Sequence, residues 1–294
     1  VNSGTSGLHL AVIALGIGQD DEVVTTPFSF VASTNCFLFE GAKPVFADID
    51  PHTWNIAPAK AAAAVTSRTK VIIPVDVFGQ PADMDPICQV ARRHNIKVIE
   101  DSCEALGAEY KGRPAGMLGD IGMFAFYPNK QITTGEGGVV TTSSEETWRL
   151  LKSLRNQGRD EDGTWLRHVR MGFNYRLDEL SAAVGVAQLE RIEELRAGRA
   201  RVAAAYERAL GRFDWLRTPA VGADESVDWF VYVIRLHRDV DRDRVMADLD
   251  AMGVGSRPYF SPLHTQPFLM EALGYRPGDF PVTERVAAST LAIP

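Results

Sequence analysis

The stretch MFAFYPNKQITTGEGGVVTT, residues 123–142, places a lysine between two runs that have the composition of buried β-strands. Lysine is most often a surface residue, so composition alone favours a solvated loop for Lys130. The apolar flanks, together with Gly135, Gly137 and Gly138, instead allow a partly desolvated amine with a ligand or another backbone segment close by. A desolvated amine is readily deprotonated and can attack a carbonyl group. Lys130 is therefore a candidate nucleophile.

Similar runs recur at regular intervals around this stretch, and helical patterns lie between several of them. Near-continuous apolar runs are typical of strands that are covered on both faces. The runs are EVVTT (22–26), PVFAD (44–48), KVIIPVDVF (70–78), KVIED (97–101), IGMFAF (121–126) and GVVTT (138–142). The alternation of strands and helices predicts an α/β fold, with a mostly parallel central sheet and helices on both faces.

A long amphipathic stretch follows at about residues 178–210. We expect it to link a large α/β domain, residues 1–198, to a smaller C-terminal α+β domain, residues 199–294. The sequence begins and ends inside patterned segments, which is the pattern expected if a segment is missing at each end.

Composition restricts the class of protein. A chain of 294 residues that is 45% apolar is not a disordered protein. Its net charge of −7 without blocks of like charge predicts no nucleic acid and no membrane as a partner, which leaves small molecules. No apolar run approaches the roughly 20 residues that span a bilayer. The three cysteines form no C-x-x-C pair, which predicts no disulfide framework and no metal site, and favours a cytoplasmic location.

Two further positions could contact a ligand. The segment NSGTSGLHLAVIALG (2–16) is a small-residue turn that leads into an apolar helix, and such a helix start suits a phosphate group, although it is also an ordinary turn. Asp101 ends the run KVIED, where it either faces a ligand or caps the next helix. A phosphate-ready helix, a strand-end aspartate and a buried lysine, in this order, are the three contacts that a pyridoxal phosphate (PLP) enzyme needs.

The chain resembles the DegT-type (DegT/DnrJ/StrS) family of nucleotide-sugar aminotransferases, which are fold type I PLP-dependent transferases. The resemblance covers essentially the whole chain. The motifs that carry it are SGTSGLHLA, DEVVTTPFSFVAST, GAKPVFADID, FGQPADMD, EDSCEALGAEYKGR, FAFYPNKQITTGEGG, MGFNYRLDELSAAVG and RPYFSPLHTQP.

The resemblance implies roles for individual residues around PLP. Lys130 is the Schiff-base lysine and also moves the proton between the cofactor and substrate carbons. Asp101 pairs with the pyridinium nitrogen, and Phe30 stacks on the ring, where core packing is the alternative for an aromatic residue. Glu104 lies close to the cofactor and favours its protonated forms.

The phosphate group of PLP has its own set of implied contacts. Gly4, Thr5 and Ser6 match the phosphate cradle. Asn174 matches a residue that reaches the phosphate of the neighbouring subunit, which predicts a homodimer with a shared active site; without the resemblance it would be a turn residue. Ala125 departs from the family pattern, because many members have a serine hydroxyl at this position.

The implied reaction transfers an amino group from an amino acid, glutamate, to a nucleoside-diphosphate 4-keto-6-deoxy sugar. Tyr259 and His264 match positions near the sugar, and Arg257 is a candidate contact for the donor carboxylate or the nucleotide diphosphate. Loop packing for Tyr259 and a surface charge for Arg257 are the alternatives. A C3-keto sugar aminotransferase and a non-catalytic PLP-binding regulator of the same family remain the alternative functions.

Overall fold

The computed structural model describes residues 1–160 and 166–294. Its helices are α1 (Gly4–Ala14), α2 (Ala32–Leu38), α3 (Pro58–Ala64), α4 (Met84–His94), α5 (Glu145–Arg155), α6 (Glu179–Glu190), α7 (Ile192–Leu210), α8 (Arg242–Ala251), α9 (Pro267–Leu273) and α10 (Pro281–Ser289). Its strands are β1 (Glu22–Thr25), β2 (Lys43–Phe46), β3 (Thr69–Ile73), β4 (Lys97–Asp101), β5 (Glu109–Tyr110), β6 (Arg113–Pro114), β7 (Ile121–Ala125), β8 (Gly138–Thr142), β9 (Leu216–Arg217), β10 (Glu225–Ser226), β11 (Tyr232–Leu236) and β12 (Thr290–Ile293).

The central sheet has six strands in the order β2-β1-β3-β4-β7-β8. All neighbours are parallel except β7 and β8, which pair antiparallel. Strand β4 therefore lies inside the sheet, with β3 on one side and β7 on the other. Because ligands bind at the carboxyl ends of such strands, this topology places the end of β4 where a site is expected.

Successive residues along the central strands pack into different cores, as the period of a strand requires. Val23 and Ile99 belong to one buried cluster, which also contains side chains from α1, α2 and α5. Val24 and Val98 belong to a second cluster, which contains side chains from α3 and α4. Both faces of the sheet are thus covered by helices, which is why its strands read as continuous apolar runs.

The C-terminal part of the chain adds a three-stranded antiparallel sheet in the order β12-β11-β9. A third buried cluster contains Phe28, which follows β1, and Trp54, which follows β2. Val233 of β11 and Val286 of α10 belong to the same cluster. The division into residues 1–198 and 199–294 stays a prediction. The amphipathic stretch near 178–210 forms two helices, which meet at Arg191.

The run KVIIPVDVF is shorter as a strand than its composition suggests. β3 ends at Ile73, directly before Pro74, because proline has no N–H for the sheet ladder. The chain then forms a 3₁₀ turn at Val77–Gly79, which packs near the candidate site. Among the helices of the described residues, none is long and apolar enough to cross a membrane.

Candidate active site

The N-terminus of α1 lies beside the end of β7. Ser3 and Ser6 form a capping box, with each hydroxyl oxygen accepting the other's backbone N–H at 3.1 Å. The N–H groups of Gly4 and Thr5 have no intrahelical acceptor, and both residues line a cavity. A Cβ atom on Gly4 would lie 2.8 Å from the Cβ of Ala125, so glycine is what lets the helix start this close to the strand. The exposed amides form a place for an anion.

Asp101, the last residue of β4, points into the same cavity although it is only 4% exposed. Its Oδ2 accepts a hydrogen bond from Ser33 Oγ at 2.6 Å, and Ser33 Oγ lies 2.8 Å from Ser29 Oγ. Its Oδ1 accepts the Cys103 N–H at 3.3 Å. The carboxylate is oriented by these donors, and it forms no close ion pair with any of the described residues. It can therefore accept a hydrogen bond from a protonated ring nitrogen.

Lys130 follows β7 and is largely buried, with its side chain 14% exposed. Its Nζ donates to Glu104 Oε1 at 3.2 Å and lies 4.2 Å from the ring centroid of Phe230. Burial acts to lower the pKa of Lys130, but the carboxylates of Glu104 and Asp101 outweigh it and the pKa is raised. The sequence argument for a readily deprotonated amine is wrong on this point, because a carboxylate lies within hydrogen-bond reach of the nitrogen.

Glu104 is itself fixed by the 3₁₀ turn after β3. Its Oε2 accepts the backbone N–H of Phe78 at 3.0 Å. Phe78 has a φ of 58°, which is uncommon for an aromatic residue, and its buried ring stacks on Phe260 at 5.2 Å between centroids. The packing of an aromatic cluster thus holds the turn that orients Glu104 toward Lys130.

Two aromatic residues predicted to contact ligands line the cavity. Phe30 is 62% exposed, so the alternative of core packing does not apply to it. Its open ring can stack on a planar ligand. Tyr259 also lines the cavity, and its ring lies 5.9 Å from that of Phe78. Tyr259 therefore packs against a neighbouring ring and also lines the cavity, where it can contact a ligand.

Ser6 and Asn174 lie away from this cavity. The Ser6 hydroxyl donates to Asn2 Oδ1 at 2.6 Å in addition to its part in the capping box, so it is used within the turn. Asn174 is exposed and forms an isolated bridge with Asn156. It does not approach the cavity of its own chain, and its contact with a second subunit stays a prediction.

Two predicted substrate residues also lie elsewhere. Arg257 is exposed, and its Nη1 donates to the carbonyl of Ser256 at 2.8 Å. His264 is completely buried, with Nε2 at 2.9 Å from Glu284 Oε1 and Nδ1 without a hydrogen-bond partner in the described part of the chain. A contact between His264 and a ligand would require the imidazole to leave this buried pair. Both substrate roles stay predictions.

The cavity has a volume of about 430 Å³, within the range of small-molecule sites. Several of its residues were missed by the sequence reasoning, namely Ser33, Tyr127, Asn129, Glu136 and Phe230. Four of them, Ser33, Tyr127, Asn129 and Glu136, lie inside the motifs that carry the family resemblance, so the sequence did contain a signal for them. Phe230 is distant in sequence from Lys130, and no local pattern connects the two.

The charges at the cavity are unequal. Among the described residues that line it, Asp101, Glu104 and Glu136 are acidic and Lys130 is the only cation. In the same described residues, no group of His, Cys, Asp and Glu side chains could hold a metal ion. The arrangement offers an anion site at α1, a carboxylate for a protonated nitrogen and an amine that carries a proton.

Comparison with known proteins gives a consistent result. The model of the DegT/DnrJ/EryC1/StrS aminotransferase family matches residues 1–294. GDP-perosamine synthase of Caulobacter vibrioides is 46% identical over 269 residues, which cover 90% of this chain and 72% of that protein. A pleiotropic regulatory protein of Geobacillus stearothermophilus is 38% identical over 296 residues, covering 99% of this chain and 78% of that protein.

Solved structures agree. DesV of S. venezuelae, in complex with a ketimine intermediate, superposes with a TM-score of 0.94 at 33% identity, covering 100% of this chain and 78% of that chain. The PLP form of the sugar aminotransferase Spr1654 from Streptococcus pneumoniae gives a TM-score of 0.93 at 26% identity, covering 100% and 80%. The matches confirm the predicted fold type I architecture, the aminotransferase class and PLP as the cofactor.

Proposed function

The chain belongs to the DegT/DnrJ/EryC1/StrS aminotransferase family, and we propose that it transfers the amino group of glutamate to a nucleoside-diphosphate 4-keto-6-deoxy sugar. The observation that carries the proposal is the convergence of Lys130, Asp101 and the start of α1 on one cavity. A nucleotide-linked substrate is supported by the name of the relative GDP-perosamine synthase. The choice of the C4 position rests on the resemblance of the loop RPYFSPLH to members that aminate C4.

The residues present fit PLP. The uncapped amides of Gly4 and Thr5 would hold its phosphate, since a helix start favours an anion. Asp101 would hold the ring nitrogen, because its carboxylate is oriented toward the cavity and forms no close ion pair within the described part of the chain. The open ring of Phe30 would cover a face of the cofactor, and Lys130 would hold its aldehyde carbon. Each assignment is a proposal for this chain.

PLP, when bound, supplies an electron sink that stabilises negative charge on the substrate carbon. The protein contributes the proton transfers. Lys130 Nζ donates a hydrogen bond to Glu104 Oε1, so the carboxylate would orient the amine that moves the proton between the cofactor and substrate carbons. Phe230 lies over the same nitrogen and keeps water from that side. Asp101 would accept a hydrogen bond from the ring nitrogen.

We include a homodimer with a shared site in the proposal. A cofactor phosphate, a nucleotide diphosphate and a dicarboxylate donor are all anions, yet Lys130 is the only cation among the described residues at the cavity. The balance suggests that polar or cationic groups come from a second copy. Helix α6 supports this idea, because Leu180 is 84% and Val186 59% exposed while Gly185 is its buried residue. Asn174, exposed just before α6, is the residue we assign across the interface.

The domain division and the location also stay proposals. The two units would be residues 1–198 and 199–294, with the antiparallel sheet β12-β11-β9 in the second. A cytoplasmic location is supported by Cys36, Cys88 and Cys103, which are free thiols in the structure.

A first experiment tests the reaction. Purified protein saturated with PLP should be yellow, and glutamate should bleach that colour as the amino form of the cofactor accumulates. The treated protein, freed of glutamate, is then given C3-keto and C4-keto nucleotide sugars, and mass spectrometry follows the product. Amination of the C4-keto sugars is the expected result. Amination of C3-keto sugars alone would replace the proposed substrate with the C3 alternative.

The second candidate is a PLP-binding regulator without turnover, which the similarity to a pleiotropic regulatory protein favours. A regulator would bind PLP without losing its colour to any amino donor. Bleaching by glutamate followed by amination of a sugar therefore rejects the regulator. A protein that stays yellow with every donor and acceptor rejects the enzyme.

A further inference from the structure

Behind Asp101 lie two further buried carboxyl groups that do not line the cavity, Asp76 and Glu100. Both side chains are completely buried, with 0% exposure. Glu100 precedes Asp101 in β4 and so points to the opposite face of the sheet. Asp76 Oδ2 accepts a hydrogen bond from Ser102 Oγ at 2.6 Å, and its Oδ1 accepts the Ala82 N–H at 2.8 Å. The known features of the site leave these two groups without a role.

Glu100 is incompletely bonded. Its Oε2 accepts the N–H groups of Leu118 and Gly119 at 2.8 and 3.3 Å. Its Oε1 is buried and has no hydrogen-bond partner within residues 1–160 and 166–294. A bare carboxylate oxygen in that position is costly, whereas a protonated one is tolerated.

The charged groups around the pair are mostly acidic. Asp101 on β4 acts on Asp76, and Cys88 on α4 lies near Glu100 and is itself influenced by Arg92, Asp120 and Asp85. Neither carboxyl group forms an ion pair in the described part of the chain, and burial raises the pKa of the Cys88 thiol, which keeps it neutral. Burial and the nearby Glu100 charge raise the pKa of Asp76 well above its usual range, and burial raises that of Glu100. Burial and mutual repulsion therefore both disfavour the state in which the two groups are ionised together.

We propose that Asp76 and Glu100, two buried carboxyl groups without an ion pair in the described part of the chain, hold at least one proton between them in the folded protein, and that they are positioning residues for the turn that carries Asp101 and Glu104. The Asp76 N–H donates to the Asp101 carbonyl at 3.0 Å, so the backbone of one residue is tied to the other. Ser102 lies between the two cofactor-facing carboxylates in sequence and is tied to Asp76 by its side chain. The inference rests on the proposed function, since it assigns Asp101 and Glu104 to the cofactor.

The shared proton predicts a pH dependence of a definite sign. Because the pKa values are raised in the folded state, that state binds more protons than the unfolded chain, and stability falls as pH rises through the folded pKa. While one proton is lost, the folding equilibrium constant falls by up to about tenfold per pH unit. Asp76→Asn, which keeps both hydrogen bonds without a charge, should reduce this fall at pH values above the ordinary carboxyl pKa, and Glu100→Gln should do the same.

Urea unfolding at several pH values measures the effect. The control is Asp85→Asn, because a hydrogen bond from Lys111 lowers the pKa of this exposed carboxyl group, so its effect belongs to acid pH. If Asp76→Asn and Glu100→Gln both follow the wild-type pH dependence, the shared proton is rejected. If Asp76→Asn alone fails to fold, Glu100→Gln decides the question.

PLP titration of the same proteins measures the positioning role. Asp76→Ala removes the bond to Ser102 and should weaken PLP binding by about tenfold, whereas Asp76→Asn should restore it. Ser102→Ala provides the same test should Asp76→Ala not fold. Wild-type PLP affinity in both truncated variants overturns the positioning role. Failure of the proposed function has a different signature, namely a wild-type protein that binds PLP with the expected pH dependence and aminates no sugar.

Discussion

Residues predicted to contact ligands lie in two regions, the sheet edge formed by the carboxyl ends of the central strands and the loop after α8. The structure places the residues of these two regions differently. At the sheet edge, Asp101 and Lys130 meet the start of α1 in one cavity. Of the loop residues predicted to contact a ligand, Tyr259 lines that cavity, whereas Arg257 is exposed and His264 is buried against Glu284. The sheet fixes where each strand ends, so residues at strand ends converge by topology. The sheet does not fix the positions of loop side chains, so each of them packs or forms hydrogen bonds independently of the others.

The largest effect is expected at the sheet edge, for Lys130→Ala. Removing the amine that moves the proton should lower kcat by about 10⁴-fold, while PLP binds more weakly through its remaining contacts. Absorbance of bound PLP and steady-state turnover measure the two effects. Lys43→Ala, which removes an exposed lysine paired with Asp20, is the control and should behave like wild type. A variant that keeps turnover would remove Lys130 from catalysis, and loss of PLP affinity alone is what a binding protein would show.

The next effect concerns the close approach of α1 to β7. Gly4→Ala places a Cβ 2.8 Å from that of Ala125, so the helix start must move away from the cavity. We expect a cost of about 1–3 kcal/mol, divided between stability and PLP affinity, which thermal unfolding and PLP titration measure. Gly18→Ala is the matched control, because a Cβ there meets nothing within 4 Å. Equal behaviour of the two variants would show that the tight contact does not matter for the site.

These two predictions also show what could be obtained from the sequence. The strand-end position of Asp101 and the helix start at Gly4 follow from hydrophobic periodicity and small-residue turns, which are local signals. The sequence neighbours of Lys130 identify it as a candidate, but they do not predict its raised pKa. Glu104 contacts the amine only in the folded chain. Phe230 was missed for the same reason. Contacts between distant segments carry no local pattern in one sequence.

A smaller effect is expected for Glu104→Gln. The Glu104 carboxylate helps to raise the pKa of Lys130, so the amide should lower that pKa and leave more neutral amine at any pH below it. The protein stripped of PLP should then recombine with it faster near pH 8, and the rise of that rate with pH should shift to lower pH. Stopped-flow absorbance measures the rate. A shift to higher pH, or none, would contradict the assignment of Glu104 as a group that raises the pKa of Lys130.

The smallest effects should come from the loop, and they test the comparison most directly. Arg257→Ala removes an exposed side chain that bonds the carbonyl next to it, so stability should change by less than about 0.5 kcal/mol.

His264→Ala removes a buried partner of Glu284 and should cost about 1–3 kcal/mol of stability with kcat near wild type. Tyr259→Phe should raise KM for the sugar if its hydroxyl faces the ligand.

Should Arg257→Ala instead raise KM for glutamate or the sugar tenfold at unchanged stability, the loop must rearrange on binding, because only a moved loop could bring that guanidinium to the cavity. The sheet edge would then be the preformed part of the site, and the loop the part that substrate assembles.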